Sequence, residues 1–234
     1  MEPRISVVIP ALNEAKNLPH LNLTGLHEVV LVDGKSTDHT TVVAAQLWPD
    51  GVILTQTRNG KGNAVVCGFT AATGDIIVML DADGSTDPGE IPAYVGALLA
   101  GADYVKGSRT VLGGGSTDFT LVRRAGNRAL TTLVNVLFRT RYTDLCYGYN
   151  AFWRDCLDVL NLPDPALTTP QWGDGFEIET LMNIRAVSVG LNVREVGSYE
   201  HSRLHGESNL RAVRDGLRVL WVILSERWRG WVRR

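Results

Sequence analysis

The stretch 76-IIVMLDADG-84 decides how the chain is read. Its apolar run, Ile76 to Leu80, shows no polar alternation, which fits a short strand covered on both faces, as in a mostly parallel sheet. The run stops at Asp81-Ala82-Asp83 and turns through Gly84. Residues i and i+2 of an extended segment point to the same side, so Asp81 and Asp83 can face one point. Carboxylates that close repel each other; a divalent cation would cancel the repulsion and accept oxygen ligands from a diphosphate. Asp and Gly are also common strand-end turn formers, so the spacing alone admits a purely structural reading.

Outward from this stretch, similar apolar runs recur at Ile5–Ile9, Val29–Val32, Val52–Leu54 and Tyr104–Val105. Helices are expected between them, near Glu14–Leu21, Thr37–Leu47, Asn63–Thr73 and Pro88–Leu99. That alternation predicts an α/β fold with a mostly parallel sheet, right-handed crossovers and flanking helices. Gly74 is placed to end one helix. Asp87-Pro88-Gly89-Glu90 offers an N-cap Asp, Pro at the first helical position and Glu at the third. After residue 110 the pattern changes. A Gly113-Gly114-Gly115 loop precedes a long helical pattern over about Leu121–Phe138. A polar loop, Asn150–Leu160, a Pro-rich connector at 163–170 and Phe176–Val189 follow. A strand is expected at Asn192–Val196 and a closing helix over roughly Leu210–Trp231. Ligands of open α/β sheets bind at the carboxyl ends of the strands. Three motif-bearing loops meet there: Pro10–Glu14, Asp33–Asp38 and Asp81–Asp83.

The 234 residues suit one large domain, or one domain with an appended helix. The net charge of −2 hides an asymmetry, with 5 Lys/Arg against 11 Asp/Glu in residues 1–100 and 18 against 14 afterwards. An acidic front and a basic back suit two ligands, or one ligand with two ends. Cys67, Cys146 and Cys156 have no CxxC or His-Cys spacing, which argues against a disulfide framework or zinc site. The start of the chain lacks a charged-then-apolar leader, and no apolar run reaches the roughly 18–20 residues that cross a bilayer. A cytoplasmic protein is expected.

The stretches VVIPALNEAKNL, EVVLVDGKSTDHT, RNGKGNAVVCGFTAATGD, MLDADGSTDPGEIP, KGSRT, RYTDLCYGYNAFWRD, GFEIETLMNIRAVSVGLNVREV and RLHGESNL run in one order across residues 5–220. Together they resemble the family-2 glycosyltransferases of GT-A (Rossmann-like) fold, and among these the dolichol- and polyprenyl-phosphate hexosyltransferases. The resemblance implies a catalytic domain over 1–209, with a nucleotide-sugar half (1–110) and an acceptor half (111–209), and a C-terminal amphipathic helix over 210–234. It implies a nucleotide site at Pro10, Ala11, Asn13, Glu14 and Asp33, with Lys61 and Gly62 at a phosphate-favouring helix start. Asp81, Ala82 and Asp83 match the DxD motif, where the aspartates would hold Mg²⁺ or Mn²⁺ and the diphosphate of a GDP- or UDP-hexose. VDGKS stands where VDDGS is commoner, so Gly34 and Lys35 depart from the pattern.

An acceptor phosphomonoester is ionised near neutral pH and needs cations more than a base. Arg109, Arg123, Arg124, Arg203 and Ser208 are the candidates for its phosphate or the leaving group, and the family's usual Lys after that Ser is Asn209 here. A hydroxyl acceptor would need a base, for which Asp144, Asp174 and Glu177 stand at matching positions; Glu179 reads as a helix-face residue. On the closing helix Leu210, Val213, Leu217, Leu220, Trp221, Leu224, Trp228 and Trp231 share helical spacing, with arginines opposite. That composition suits a membrane interface. The expectation is that its first half packs on the domain and that Trp228–Arg234 touches membrane or a partner. Related enzymes often carry transmembrane helices, so a peripheral enzyme on the cytosolic membrane face, an integral-membrane partner subunit or a soluble acceptor is expected. A nucleotidyltransferase would need a glycine-rich loop where PALNE stands. A non-catalytic nucleotide-sugar-binding subunit is the other class. No base-stacking stripe supports nucleic-acid binding.

Overall fold

The computed structural model describes residues 2–232, with side chains through Gly230. The strands are β1 (Ile5–Ala11), β2 (Glu28–Asp33), β3 (Val52–Thr55), β4 (Ile76–Met79), β5 (Tyr104–Ser108), β6 (Gly115–Ser116), β7 (Asn150–Trp153), β8 (Val193–Gly197) and β9 (Tyr199–Glu200). The helices are α1 (Thr40–Leu47), α2 (Lys61–Ala71), α3 (Ile91–Leu99), α4 (Leu121–Phe138), α5 (Cys156–Leu160), α6 (Ile178–Ser188) and α7 (Ala212–Val232). Seven strands form one sheet in the order β3-β2-β1-β4-β7-β5-β8, while β6 and β9 pair separately. All pairings in the large sheet are parallel except those of β7, which runs against both β4 and β5.

Two cores explain why the strands lack alternation. Val8, Val30, Val32, Ile77 and Met79 enter one, filled by α2, α4, α6 and α7. Val7, Ile9, Leu31, Ile76 and Val78 enter the other, under α3 and the 14–23 segment. With both faces apolar, the period of two selects which core a residue joins rather than core against water.

Three local expectations change. The Glu14–Leu21 segment forms only a 3-10 turn at Leu18–His20, with Pro19 in its first turn and Asn13 in the left-handed region at φ 59°. The Asp87 carboxylate does accept from Gly89 N at 2.8 Å, but the turn it caps is 3-10, and α3 starts at Ile91. The segment after Gly148 opens with β7. Its Phe152 stacks on Tyr104 at 5.5 Å and meets the edge of Phe69 at 5.1 Å, so aromatic packing seats this short strand mid-sheet.

Helix α7 is apolar on two sides. Val219, Val222 and Ile223 are buried in the core. Val213, Leu217, Trp221, Leu224 and Trp228 are exposed, from the first turn onward. The expectation that the first half simply packs is therefore corrected: one stripe packs and another faces outward along the helix. The Trp231 side chain, Arg233 and Arg234 lie outside the described residues. Among the described residues no helix is long and apolar enough to cross a membrane.

Candidate active site

The carboxyl ends of β1, β2 and β4 open into a cavity of about 490 Å³. Pro10, Ala11, Gly34 and Gln56 line one end. Lys61, Asp81, Ala82 and Asp83 form its floor, with Glu14, Glu179 and Arg203 beside them. The cavity continues between α4 and α7, where Phe119, Val122, Leu130, Gly216 and Val219 line it.

Asp81 and Asp83 follow directly from β4, whose last carbonyl-side neighbour is fixed when Leu80 N donates to Val8 O at 3.0 Å. Each carboxylate has its own cation. Lys61 Nζ lies 2.7 Å from Asp81 Oδ1 and 2.7 Å from Glu179 Oε1. Arg203 lies 3.2 Å from Asp83 Oδ2 and donates to Glu14 Oε1 at 2.8 Å. Arg203 arrives on the 201–205 strap, where His201 N donates to Ser85 O at 2.8 Å and Leu204 N to Asp83 O at 3.2 Å. The strap fits because residue 84 is glycine: it sits at φ +76°, and a Cβ there would lie 2.6 Å from Leu204 Cδ1.

The floor carries a charge deficit. Four carboxylates (Glu14, Asp81, Asp83, Glu179) face two cations (Lys61, Arg203), which leaves two negative charges when all are ionised. The titration directions agree. Burial pushes the Glu14 carboxyl above its ordinary value and the Asp83 charge adds to this, against hydrogen bonds from Asn17 and Arg203. Burial likewise raises Glu179, with Asp81 adding and Lys61 opposing. Burial works against the Lys61 ammonium, but Asp81 and Glu179 outweigh it and keep the lysine charged. Among the described residues no group of three or more His, Cys, Asp or Glu side chains gathers as a metal site. The pair fits a hard divalent cation that draws its remaining oxygens from a diphosphate and water, since Mg²⁺ is commonly held by one or two carboxylates with substrate phosphates.

Several expected site residues do other work. Asp33 accepts from Lys35 N at 3.0 Å and from Ser36 N at 3.1 Å, so its carboxylate holds the 33–36 turn and does not line the cavity. Asn13 accepts from Thr37 N at 2.8 Å and ties the same turn to the first loop. Gly62 is needed for close packing, since a Cβ there would lie 1.9 Å from Gly173 O. The start of α2 is also closed to phosphate at Asn63, whose N–H donates to Asp174 O at 3.2 Å. Gly60, Lys61 and Ala64 line the cavity, and of these Lys61 carries the charge.

None of the three candidate bases lines the cavity. Asp174 is buried against Arg58, accepting at 2.9 and 2.8 Å. Asp144 is fully buried and accepts from Arg109 at 2.7 and 2.9 Å. Glu177 is buried behind Gly175, with Arg218 at 3.4 Å. Pinned by Asp144 and by Glu200 at 3.0 Å, Arg109 reaches the cavity wall with its guanidinium over Phe119 at 4.0 Å. Arg123 and Ser208 line the cavity, Arg123 also pairing with Asp118 at 2.6 Å. Arg124 is exposed and does not line it. The sequence reads Glu179 only as a helix-face residue, and Phe119 carries no expectation. The first meets Lys61 across 118 residues of chain, and the second has no motif around it.

Residues 6–160 match the profile of Glycosyl transferase family 2. An undecaprenyl-phosphate mannosyltransferase from Micrococcus luteus is 30% identical over 243 residues, covering 97% of this chain and 97% of that protein. A dolichol-phosphate mannosyltransferase from Pyrococcus furiosus is 37% identical over 131 residues, 52% of this chain and 37% of that protein. Among solved structures, glucosyl-3-phosphoglycerate synthase from Mycobacterium tuberculosis, in complex with Mn²⁺, uridine diphosphate and phosphoglyceric acid, superposes with a TM-score of 0.71. Its sequence is 23% identical, and the match covers 96% of this chain and 78% of that one. With residues 6–160 matching the family and the fold shared with a solved structure, the chain belongs to glycosyl transferase family 2 and is a glycosyltransferase of GT-A fold.

Proposed function

We propose that the enzyme is a metal-dependent, inverting hexosyltransferase that moves mannose or glucose from a GDP- or UDP-sugar to a polyprenyl phosphate at the cytosolic membrane face. One observation carries the acceptor: the cavity runs on from the DxD floor into an apolar corridor between α4 and α7. A small polar acceptor has no use for such walls, whereas an isoprenoid chain buries its surface there. The lipid-phosphate relatives support the same reading.

In this reading an acceptor phosphate oxygen attacks the anomeric carbon. The bond from that carbon to the diphosphate oxygen breaks, and its electron pair leaves with the nucleotide. The nucleophile is already ionised, so no side chain has to take a proton. Lys61 and Arg203 face the developing charge of the leaving group. Arg123 and Ser208, at the mouth of the corridor, are assigned to the acceptor phosphate, with Arg109 fixed behind them. Asp81 and Asp83 would hold Mg²⁺ or Mn²⁺, which when bound supplies further charge compensation to the diphosphate. A hydroxyl acceptor is the weaker alternative, because Asp144, Asp174 and Glu177 are tied up away from the cavity. The outward stripe of α7, flanked by Arg214, Arg218 and Arg227, supports membrane contact without requiring an integral-membrane partner.

The test is a lipid-extract mass spectrum after incubation with Mg²⁺ or Mn²⁺, undecaprenyl phosphate and a panel of GDP- and UDP-hexoses. A metal-dependent hexosyl phospholipid is expected. Donor turnover without any lipid product would refute the lipid acceptor.

A further inference from the structure

Glu14 and Glu179 stand on either side of the aspartate pair, and the transfer reaction gives neither a task. Each shares a cation with one aspartate. Lys61 bridges Asp81 and Glu179 at 2.7 Å to both. The Arg203 fork meets both Glu14 oxygens at 2.8 and 3.1 Å and Asp83 at 3.2 Å.

The two carboxylates of each bridge differ in enclosure. The side chains of Glu14 and Glu179 are 6% and 10% exposed, against 28% for Asp81 and 19% for Asp83. A buried carboxylate loses more when its counter-charge leaves, because water does not replace it. Glu14 is also held from behind, where Asn17 Nδ2 donates to its Oε2 at 2.5 Å, and Glu179 packs so closely on Gly148 that a Cβ there would overlap its Oε1.

We propose that Glu14 and Glu179 are positioning residues, which keep Arg203 and Lys61 in the cleft beside the donor's diphosphate when a divalent cation takes up Asp81 and Asp83. The inference rests on the metal and diphosphate reading above. Without the glutamates, each cation would have only an aspartate to hold it, and would compete with the metal or swing out of the cleft.

The test is calorimetric titration of UDP and GDP into the full chain at saturating Mn²⁺, comparing wild type with Glu179→Gln and, on the other side, Glu14→Gln. The sign separates the explanations. Deleting a negative charge beside an anion site tightens diphosphate binding by simple electrostatics. Loss of positioning weakens it, by about tenfold for one charge-assisted contact. Weaker binding in either folded variant, as checked by thermal melting, is the expected result. In a Lys61→Gln background, Glu179→Gln should cost no further affinity. Equal or tighter binding in both variants, or an undiminished loss in that background, overturns the inference alone. Wild-type protein that binds neither nucleotide overturns it together with the donor reading.

Discussion

Replacing Asp174 by Asn separates a structural carboxylate from a catalytic one. The pair it forms with Arg58 is buried, bidentate and bound into its surroundings. Arg58 Nη1 also donates to Asp164 O at 2.9 Å and to Leu167 O, while Gln171 N donates to Asp174 at 2.7 Å. The clamp thus holds the 164–175 loop against the start of α2. Asn keeps the shape and one acceptor but removes the charge, which leaves the guanidinium buried without a counter-ion. Breaking such a pair from one side costs about 3–5 kcal/mol. With a urea slope of about 3 kcal/mol per M for a chain this size, the unfolding midpoint falls by roughly 1–1.7 M. Trp172 is two residues away, so tryptophan fluorescence reports the transition. Turnover per folded molecule should stay within a few-fold of wild type. An unchanged midpoint with collapsed turnover would refute the reasoning and return Asp174 to the chemistry.

Asp83→Asn should lower turnover by about 100-fold or more with little change in melting temperature, because the lost quantity is charge at the reacting end. Full activity in this variant, or product formation that survives a chelator, would sink the metal assignment. Lys35 sits at φ 69°, where a side chain costs about 1–2 kcal/mol and Gly does not. After the glycine entropy is subtracted, Lys35→Gly should stabilise by about 0.5–1 kcal/mol in urea titrations; destabilisation would contradict the strain. Burial, the largest single influence, would raise the Asp144 carboxyl, but the hydrogen bonds from Arg109 and the charges of Lys106 and Arg109 together outweigh it and hold it below its ordinary value of 3.8. Its folded value is the lower one, so its contribution is complete above the ordinary, unfolded value and is lost as pH falls through the depressed one. Asp144→Asn should therefore flatten the acid limb of the stability–pH curve, and an unaltered slope would argue against the linkage. Trp221→Glu should reduce co-sedimentation with anionic vesicles several-fold while the fold stays intact; equal binding would remove α7 as the contact.

The fold was legible where one physical signal dominated. Doubly covered strands such as Ile76–Met79 show in their unbroken apolar run, and α4 shows in the helical spacing over Leu121–Phe138. β7 was not legible. Four residues opening on Asn150 show no period, and their place depends on Tyr104 and Phe69 elsewhere in the chain. At the site, the sequence displayed the DxD turn and the cations Lys61 and Arg203, but not that these cations pair with its aspartates. A carboxylate has the same letter whether it lines the cavity, as Asp81 does, or meets a buried arginine, as Asp174 does. What separates them is a partner more than a hundred residues away. On α7 the periodicity revealed an apolar face, and only packing shows that a second one, with Val219, Val222 and Ile223, is the one that docks.

The central place of β7 has a consequence for how the protein is made. When synthesis has passed residue 110, β1 through β5 exist, but β4 and β5 cannot pair with each other, because a strand not yet translated belongs between them. The gap is two strand spacings, roughly 9.6 Å. Until Trp153 leaves the ribosome, the apolar edge of β4 is an open template of the kind that recruits chaperones or neighbouring chains. A nick in the Gly113-Gly114-Gly115 loop would likewise leave two fragments that fold only in each other's company, since the second supplies the strand that closes the sheet of the first.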